Sequence, residues 1–146
     1  EPYLIEYNVR MGDPECQVIM PRLKTDLVLL LIAAVKNKLK QFKIKWNREK
    51  CMTIVLCAKG YPNEYITNKQ INLEHVKLTK KSFIFHAGTK IKNGLLFSNG
   101  GRVLNIVVLG TAFSKIRNQI YKIIKTINWK YGFFRRDIGW RIIKKK

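Results

Sequence analysis

From Pro2 to Val9 apolar and polar residues alternate, with Ile5, Tyr7 and Val9 on one side and Leu4, Glu6 and Asn8 on the other. A period of two, rich in Tyr, Ile and Val, predicts a β-strand, and it places Glu6 and Asn8 on one face. Gly12-Asp13-Pro14 carries turn chemistry and ends the strand. The period then changes. Leu23, Leu27, Leu30, Leu31, Ala34, Val35 and Leu39 recur at three- and four-residue steps. This apolar stripe predicts a helix from Pro21, a residue suited to a first helical turn, to about Lys40. Its polar, basic continuation, Lys36 to Lys45, is the best domain boundary in the chain, and the expected division is 1–43 and 44–146.

Beyond that boundary, short strand patterns alternate with Gly and Asn turns. The predicted strands are Cys51 to Ala58, Ser82 to Ala87, Gly94 to Ser98 and Arg102 to Gly110, with a turn at Gly60-Tyr61-Pro62. One helix interrupts them, from about Phe113 to Ile127, where Phe113, Ile116, Ile120, Ile123, Ile124 and Ile127 share a side. The expectation is an α+β fold: a strand and helix, then a mostly β region with one helix packed across the sheet.

The length of 146 residues suits one ordinary domain, or a domain with a piece of another, and is too small for most multi-substrate ligases. The chain opens on Glu1-Pro2-Tyr3-Leu4-Ile5, without an initiator Met or a signal-like lead. The expectation is a piece of a longer polypeptide. The longest nearly uncharged apolar run, Leu27 to Val35, is well short of the roughly 18 to 20 residues that cross a membrane. No membrane partner is expected. Cys16, Cys51 and Cys57 are odd in number and lack CxxC spacing, which fits a reducing, cytoplasmic setting.

The net charge of +20 makes nucleic acid the first partner to weigh. Two features argue against it. Lysines outnumber arginines 21 to 8, in company with many Ile and Asn, and apart from runs at Lys36 to Lys45 and Lys144 to Lys146 they are scattered. The aromatic and Arg-Gly pattern of an RNA-binding sheet is missing. Solvated surface is the favoured reading, and no specific nucleic acid is expected. The alternative is a non-catalytic basic binding module.

Candidate chemistry begins at the first strand. Glu6 and Asn8 offer a carboxylate and a carboxamide oxygen side by side, hard ligands of the kind Mg²⁺ or Mn²⁺ shares with nucleotide phosphates. Arg10 lies two residues further on the same face, where a guanidinium can brace a phosphoryl oxygen. Asp13 and Glu15 add two carboxylates about a Pro-fixed turn. Each has a plainer alternative: Glu6 and Asn8 merely solvated, which the pair alone favours, Arg10 in a salt bridge, Asp13 bonded to its own backbone, Glu15 as a helix N-terminal charge. Arg102, after Gly100-Gly101, is a candidate phosphate contact or an arginine packed on the sheet. His86 is a minor candidate base, since a histidine in an apolar strand is more often structural. Arg135-Arg136-Asp137 reads as an ion-paired closure.

Arg10-Met11-Gly12-Asp13-Pro14-Glu15-Cys16-Gln17 is the R-x-G-D-P-E-x-Q signature, and here the chain resembles the glycinamide ribonucleotide synthetases. The likeness continues through Met20 to Leu27, Gly60 to Pro62, Phe85 to Thr89, Gly100 to Leu104 and Phe134 to Gly139, in the family's order. The resemblance implies the end of an ATP-grasp domain followed by a C-terminal domain similar to that of biotin carboxylase. It implies part of an ATP-dependent ligase of purine synthesis, joining 5-phosphoribosylamine to glycine through glycyl phosphate. Glu6 and Asn8 then become Mg²⁺ ligands, Arg10 steadies the transferring phosphoryl group, and Arg102 is the candidate ribose 5-phosphate contact. The substrates are ATP, glycine and 5-phosphoribosylamine. The ATP-binding core is expected upstream of Glu1 in the same polypeptide, so the chain alone is expected to be inactive; a monomer is expected. Two departures stand out. Met11 replaces the usual Phe or Leu, and Thr111 replaces the usual aspartate as the expected N-cap of the following helix.

Overall fold

The computed structural model describes residues 1–144, and the end of the basic run Lys144 to Lys146 lies outside the described residues. The β-rich region is built on strand β1 (Lys50–Ala58), whose buried positions alternate strictly along its length. Further strands are β2 (Gln70–Ile71), β3 (Ser82–His86), β4 (Thr89–Lys92), β5 (Leu95–Ser98), β6 (Arg102–Gly110) and β7 (Gly132–Phe133). They form two antiparallel sheets, one in the order β3-β6-β1-β7 and a smaller one in the order β2-β5-β4.

Register follows burial. Ile54 pairs with Ile106 and Leu56 with Leu104. These four pack with Ile116, Ile120, Ile123 and Ile124 of helix α3 (Phe113–Thr126) in one hydrophobic core. The other side of β1 presents Thr53, Val55 and Cys57. The ladder slips between Leu56 and Cys57, which brings Cys57 opposite Arg102. A bulge of this kind re-aims the side chains beside it.

The N-terminal region differs from its expected form in two places. Pro2 to Val9 is not a strand: it lacks ladder partners among the described residues, and it bends at Val9 and Arg10. Alternation supplies the face of a strand, but a neighbouring strand must supply the hydrogen bonds. The single helix from Pro21 to Lys40 is also divided. Helix α1 (Cys16–Ile19) starts before Pro21 and runs into a 3₁₀ turn over Met20–Arg22. Helix α2 (Leu27–Val35) begins afresh because Asp26 caps it, its Oδ1 accepting from the N–H groups of Val28 at 2.8 Å and Leu29 at 3.1 Å.

The stop of α2 is equally specific. Asn37 adopts φ 55°, its N–H donates to Ala34 O, and the Lys38 N–H donates to Ala33 O. That pair of bonds is a Schellman closure, with asparagine in the left-handed position usually held by glycine. The basic stretch then folds back, and Lys24 N–H donates to Lys45 O while Asn47 N–H donates to Arg22 O.

Helix α3 starts at its expected residue, but with Ala112 as N-cap and no side-chain capping bond, so Thr111 lies one position too early to cap it. A short helix α4 (Trp140–Lys144) ends the described chain. The architecture is α+β, as the sequence pattern indicates. No helix among the described residues is long and apolar enough to cross a membrane.

Candidate functional site

Glu6 and Asn8 lie side by side although the segment is not a strand: Asn8 Nδ2 donates to Glu6 Oε1 at 2.8 Å, and both side chains are exposed. Arg10 is not brought to them. The bend at Val9 and Arg10 breaks the alternation, and the Arg10 guanidinium instead donates to the Met11 carbonyl at 3.1 Å. The described residues contain no group of three or more His, Cys, Asp or Glu side chains arranged to hold a metal. The donor set on offer is therefore one carboxylate and one carboxamide. That is incomplete for a six-coordinate ion held by protein alone, but it fits Mg²⁺ shared with phosphate oxygens and water.

The next segment docks on the β-rich region. Gln17 Nε2 donates to Asp13 Oδ1 at 2.8 Å, and Asp13 Oδ2 lies 3.1 Å from Arg102 Nε. Asp13 thus accepts a hydrogen bond from a side chain within its own motif and pairs by charge with an arginine on β6. Neither Asp13 nor Gln17 was singled out as a link to Arg102, because the partners are far apart in sequence. Glu15 stands at the start of α1, without a side-chain capping bond.

Arg102 borders a cavity of about 440 Å³ lined by Pro14, Thr53, Val55, Cys57, Tyr61, Phe133, Arg135 and their neighbours. Its walls are mostly apolar, with two guanidinium groups. Burial pushes the Cys57 thiol above its ordinary range, opposed by the positive charge of Arg102 and reinforced by the negative charge of Asp13. The second cation, Arg135, grips Asp137 through two bonds, Nε to Oδ1 at 3.0 Å and Nη2 to Oδ2 at 2.5 Å. Those bonds hold the Asp137 carboxyl below its usual range. Arg136 takes part through its backbone, its carbonyl accepting from Tyr121 Oη at 2.8 Å.

The backbone under Arg102 is fixed by a close approach. A Cβ on Gly88 would lie 2.7 Å from both the Gly100 Cα and the Arg102 carbonyl oxygen, and one on Gly100 would lie 2.9 Å from the Gly88 Cα. A Cβ on Gly101 would strike the Tyr61 ring at 2.2 Å. The glycines before Arg102 therefore admit other parts of this protein. His86 is exposed, with Nδ1 3.1 Å from Thr89 Oγ1, and it does not line the cavity.

The fold also buries polar groups that the sequence pattern does not mark. Gln17 Oε1, Thr53 Oγ1 and both amide atoms of Asn105 are buried without a hydrogen-bond partner among the described residues. Asn105 is fully buried in the apolar run of β6 from Val103 to Leu109, opposite Val55 on one side and Phe85 on the other. A lone Asn in such a strand was the available signal.

The sequence profile described as "Phosphoribosylglycinamide synthetase, C domain" matches residues 51–141. Among curated relatives, a phosphoribosylamine–glycine ligase of Agrobacterium fabrum is 42% identical over 146 residues, covering 99% of this chain and 34% of the relative. That of Mesorhizobium japonicum is 44% identical over 145 residues, with the same coverage. A chloroplastic one of Arabidopsis thaliana is 42% identical, with 28% of its length covered. The crystal structure of the Thermotoga maritima phosphoribosylamine–glycine ligase superposes with a TM-score of 0.71 at 32% identity, over 94% of this chain and 33% of that one. The chain thus spans about a third of the length of the relatives it matches. With more than half of its residues under that profile, the chain belongs to the phosphoribosylglycinamide synthetase C-domain family.

Proposed function

We propose that the chain is the C-terminal part of an ATP-dependent ligase that joins 5-phosphoribosylamine to glycine through glycyl phosphate, releasing ADP and phosphate. The observation that carries this reading is the Glu6–Asn8 pair, side by side at 2.8 Å just ahead of the docked turn, in a chain 42% identical to ligases of that name. Residues 1–43 would end the ATP-grasp domain and 44–146 would form the C-terminal domain. The unpartnered apolar surface of the first part supports a place against further polypeptide. The enzyme would act as a monomer in the cytoplasm, and this chain alone would be inactive.

Glu6 and Asn8 would hold Mg²⁺ or Mn²⁺, which when bound offsets the negative charge of the ATP phosphates. Arg10 would leave the Met11 carbonyl to steady the transferring phosphoryl group, as a positioned cation does for developing charge. Arg102, at the cavity wall, would receive the ribose 5-phosphate of the amine substrate. The test is ADP release by the complete gene product supplied with glycine and phosphoribosylamine. Glu6→Ala is expected to lower turnover about a hundredfold or more. Unchanged turnover in that variant would remove the metal assignment, and absence of substrate-dependent ADP release in the unaltered protein would remove the ligase reading.

A further inference from the structure

Asp13 links the signature turn to the cavity wall, with one oxygen held within the turn and the other facing Arg102. Oδ1 accepts from Gln17 Nε2 at 2.8 Å, and Oδ2 lies 3.1 Å from Arg102 Nε. The arginine side chain is 43% exposed and the aspartate 36%, so the pair lies at the rim, within reach of a ligand. The cavity it borders has Pro14, next in sequence to Asp13, in its wall. Arg102 itself stands on backbone pinned by the Gly88–Gly100 approach. A long side chain anchored at its root still has several rotatable bonds, and an ion partner at Nε favours the rotamers that keep the two charges together.

From this geometry we propose that Asp13 is a positioning residue: held by Gln17 at one oxygen, it aims the Arg102 guanidinium over the cavity to meet an anionic group of the substrate. The inference rests on the ligase reading insofar as that reading supplies a phosphate-bearing substrate. It assigns Asp13 a task other than metal binding, and it explains why a motif at one end of the chain contains both an aspartate and, four residues on, the amide that steadies it. The Asp13 carboxylate also draws the two regions together, since its partner lies on the central strand pair of the larger sheet.

Charge and positioning predict opposite signs, which makes the idea testable. Asp13→Asn removes a negative charge beside Arg102, so Coulomb attraction alone would tighten the binding of an anion. If Asp13 aims the arginine, the same change weakens binding, because an amide offers one acceptor oxygen and no charge where the carboxylate serves both Gln17 and Arg102. The measurement is calorimetric titration of the complete gene product with ribose 5-phosphate, without ATP or glycine, with the melting temperature of each variant as a check on folding.

Asp13→Asn is expected to weaken binding about threefold to tenfold. Gln17→Leu, which leaves both charges in place, should weaken it in the same direction. Asp13→Asn combined with Arg102→Gln should bind no worse than Arg102→Gln alone, because Asp13 acts through Arg102. Unchanged or tighter binding in Asp13→Asn, additive losses in the double variant, or no ribose 5-phosphate binding by the unaltered protein would each overturn the proposal. None of these readouts depends on turnover, so a failure of the positioning idea is distinct from a failure of the ligase reading, which ADP release decides.

Discussion

The two parts of the chain treat the same kinds of residue in opposite ways. In the β-rich part, Ile54, Leu104, Ile106 and Ile120 are all 0% exposed. In the first part, Ile5 is 94% exposed, Val9 101% and Val35 85%, and of the apolar residues in α2 only Leu30 and Ala33 are buried. The helices differ in pattern as well: α3 sets one apolar stripe against polar faces, whereas α2, Leu27–Val35, is apolar on every side. Periodicity states which face is to be covered, while cover must come from a neighbouring element, and the β-rich part brings its own in α3. Under the ligase reading, the first part would belong to a domain whose other strands would complete its ladder.

The largest effect that bears on this contrast is core truncation. Ile106→Ala should lower the free energy of unfolding by about 2 to 5 kcal/mol, whereas Val28→Ala on the exposed side of α2 should change it by less than about 0.5 kcal/mol. Urea unfolding of the 146-residue chain measures both, and similar losses would end the distinction. Next is the cap of α2. Asp26→Ala removes the acceptor for two backbone N–H groups and should destabilise that helix by about 1 kcal/mol. Because α2 has so little buried surface, the change should be seen as faster amide exchange within α2, with the urea midpoint of the β-rich part nearly unmoved. A shift of the whole transition by the full amount would show that the two parts unfold together.

The smallest effect concerns Cys51, which lies where the parts meet, in a cavity lined also by Val18, Ile19, Arg22 and Trp46. Burial pushes its thiol up to about 11, despite the opposing charge of Arg22. The folded protein thus favours the neutral thiol. Its contribution is full below the ordinary thiol value of 9.0 and is lost as pH rises through about 11. The difference in urea midpoint between the unaltered chain and Cys51→Ala should shrink slightly over that interval. A constant difference would mean that the N-terminal region does not cover Cys51 in solution.

Much of this organisation was readable in advance. The strands with clear alternation, β1 and β6, and the helix α3 with its isoleucine stripe lie within a residue or two of their expected limits. Strand β4 was not foreseen, since Thr89–Lys92 reads as polar lysine sequence, although Asn93-Gly94, with φ of 51° and 74°, is a hairpin signal. Strands β2 and β7 have two residues each, too few for a period to register. The split of the first helix turned on Asp26 and Asn37, local caps that a continuous apolar stripe conceals.

At the site, Glu6 and Asn8 meet through a side-chain hydrogen bond rather than a strand face, and the displacement of Arg10 follows from the bend. The Asp13–Arg102 pair was beyond reach because nothing in the spacing of one segment specifies its partner in another. Of the residues proposed from the sequence, those joined by short-range geometry were the most legible.

The Gly88–Gly100 approach has a consequence for how such a chain can vary. Any side chain on either residue collides with backbone, and backbone cannot turn aside as a flexible side chain can. A substitution at one position is not repaired by shrinking the other, which has nothing left to remove. The crossing therefore offers a lineage no intermediate through which to drift, and the arginine that stands just beyond it inherits a fixed point of departure.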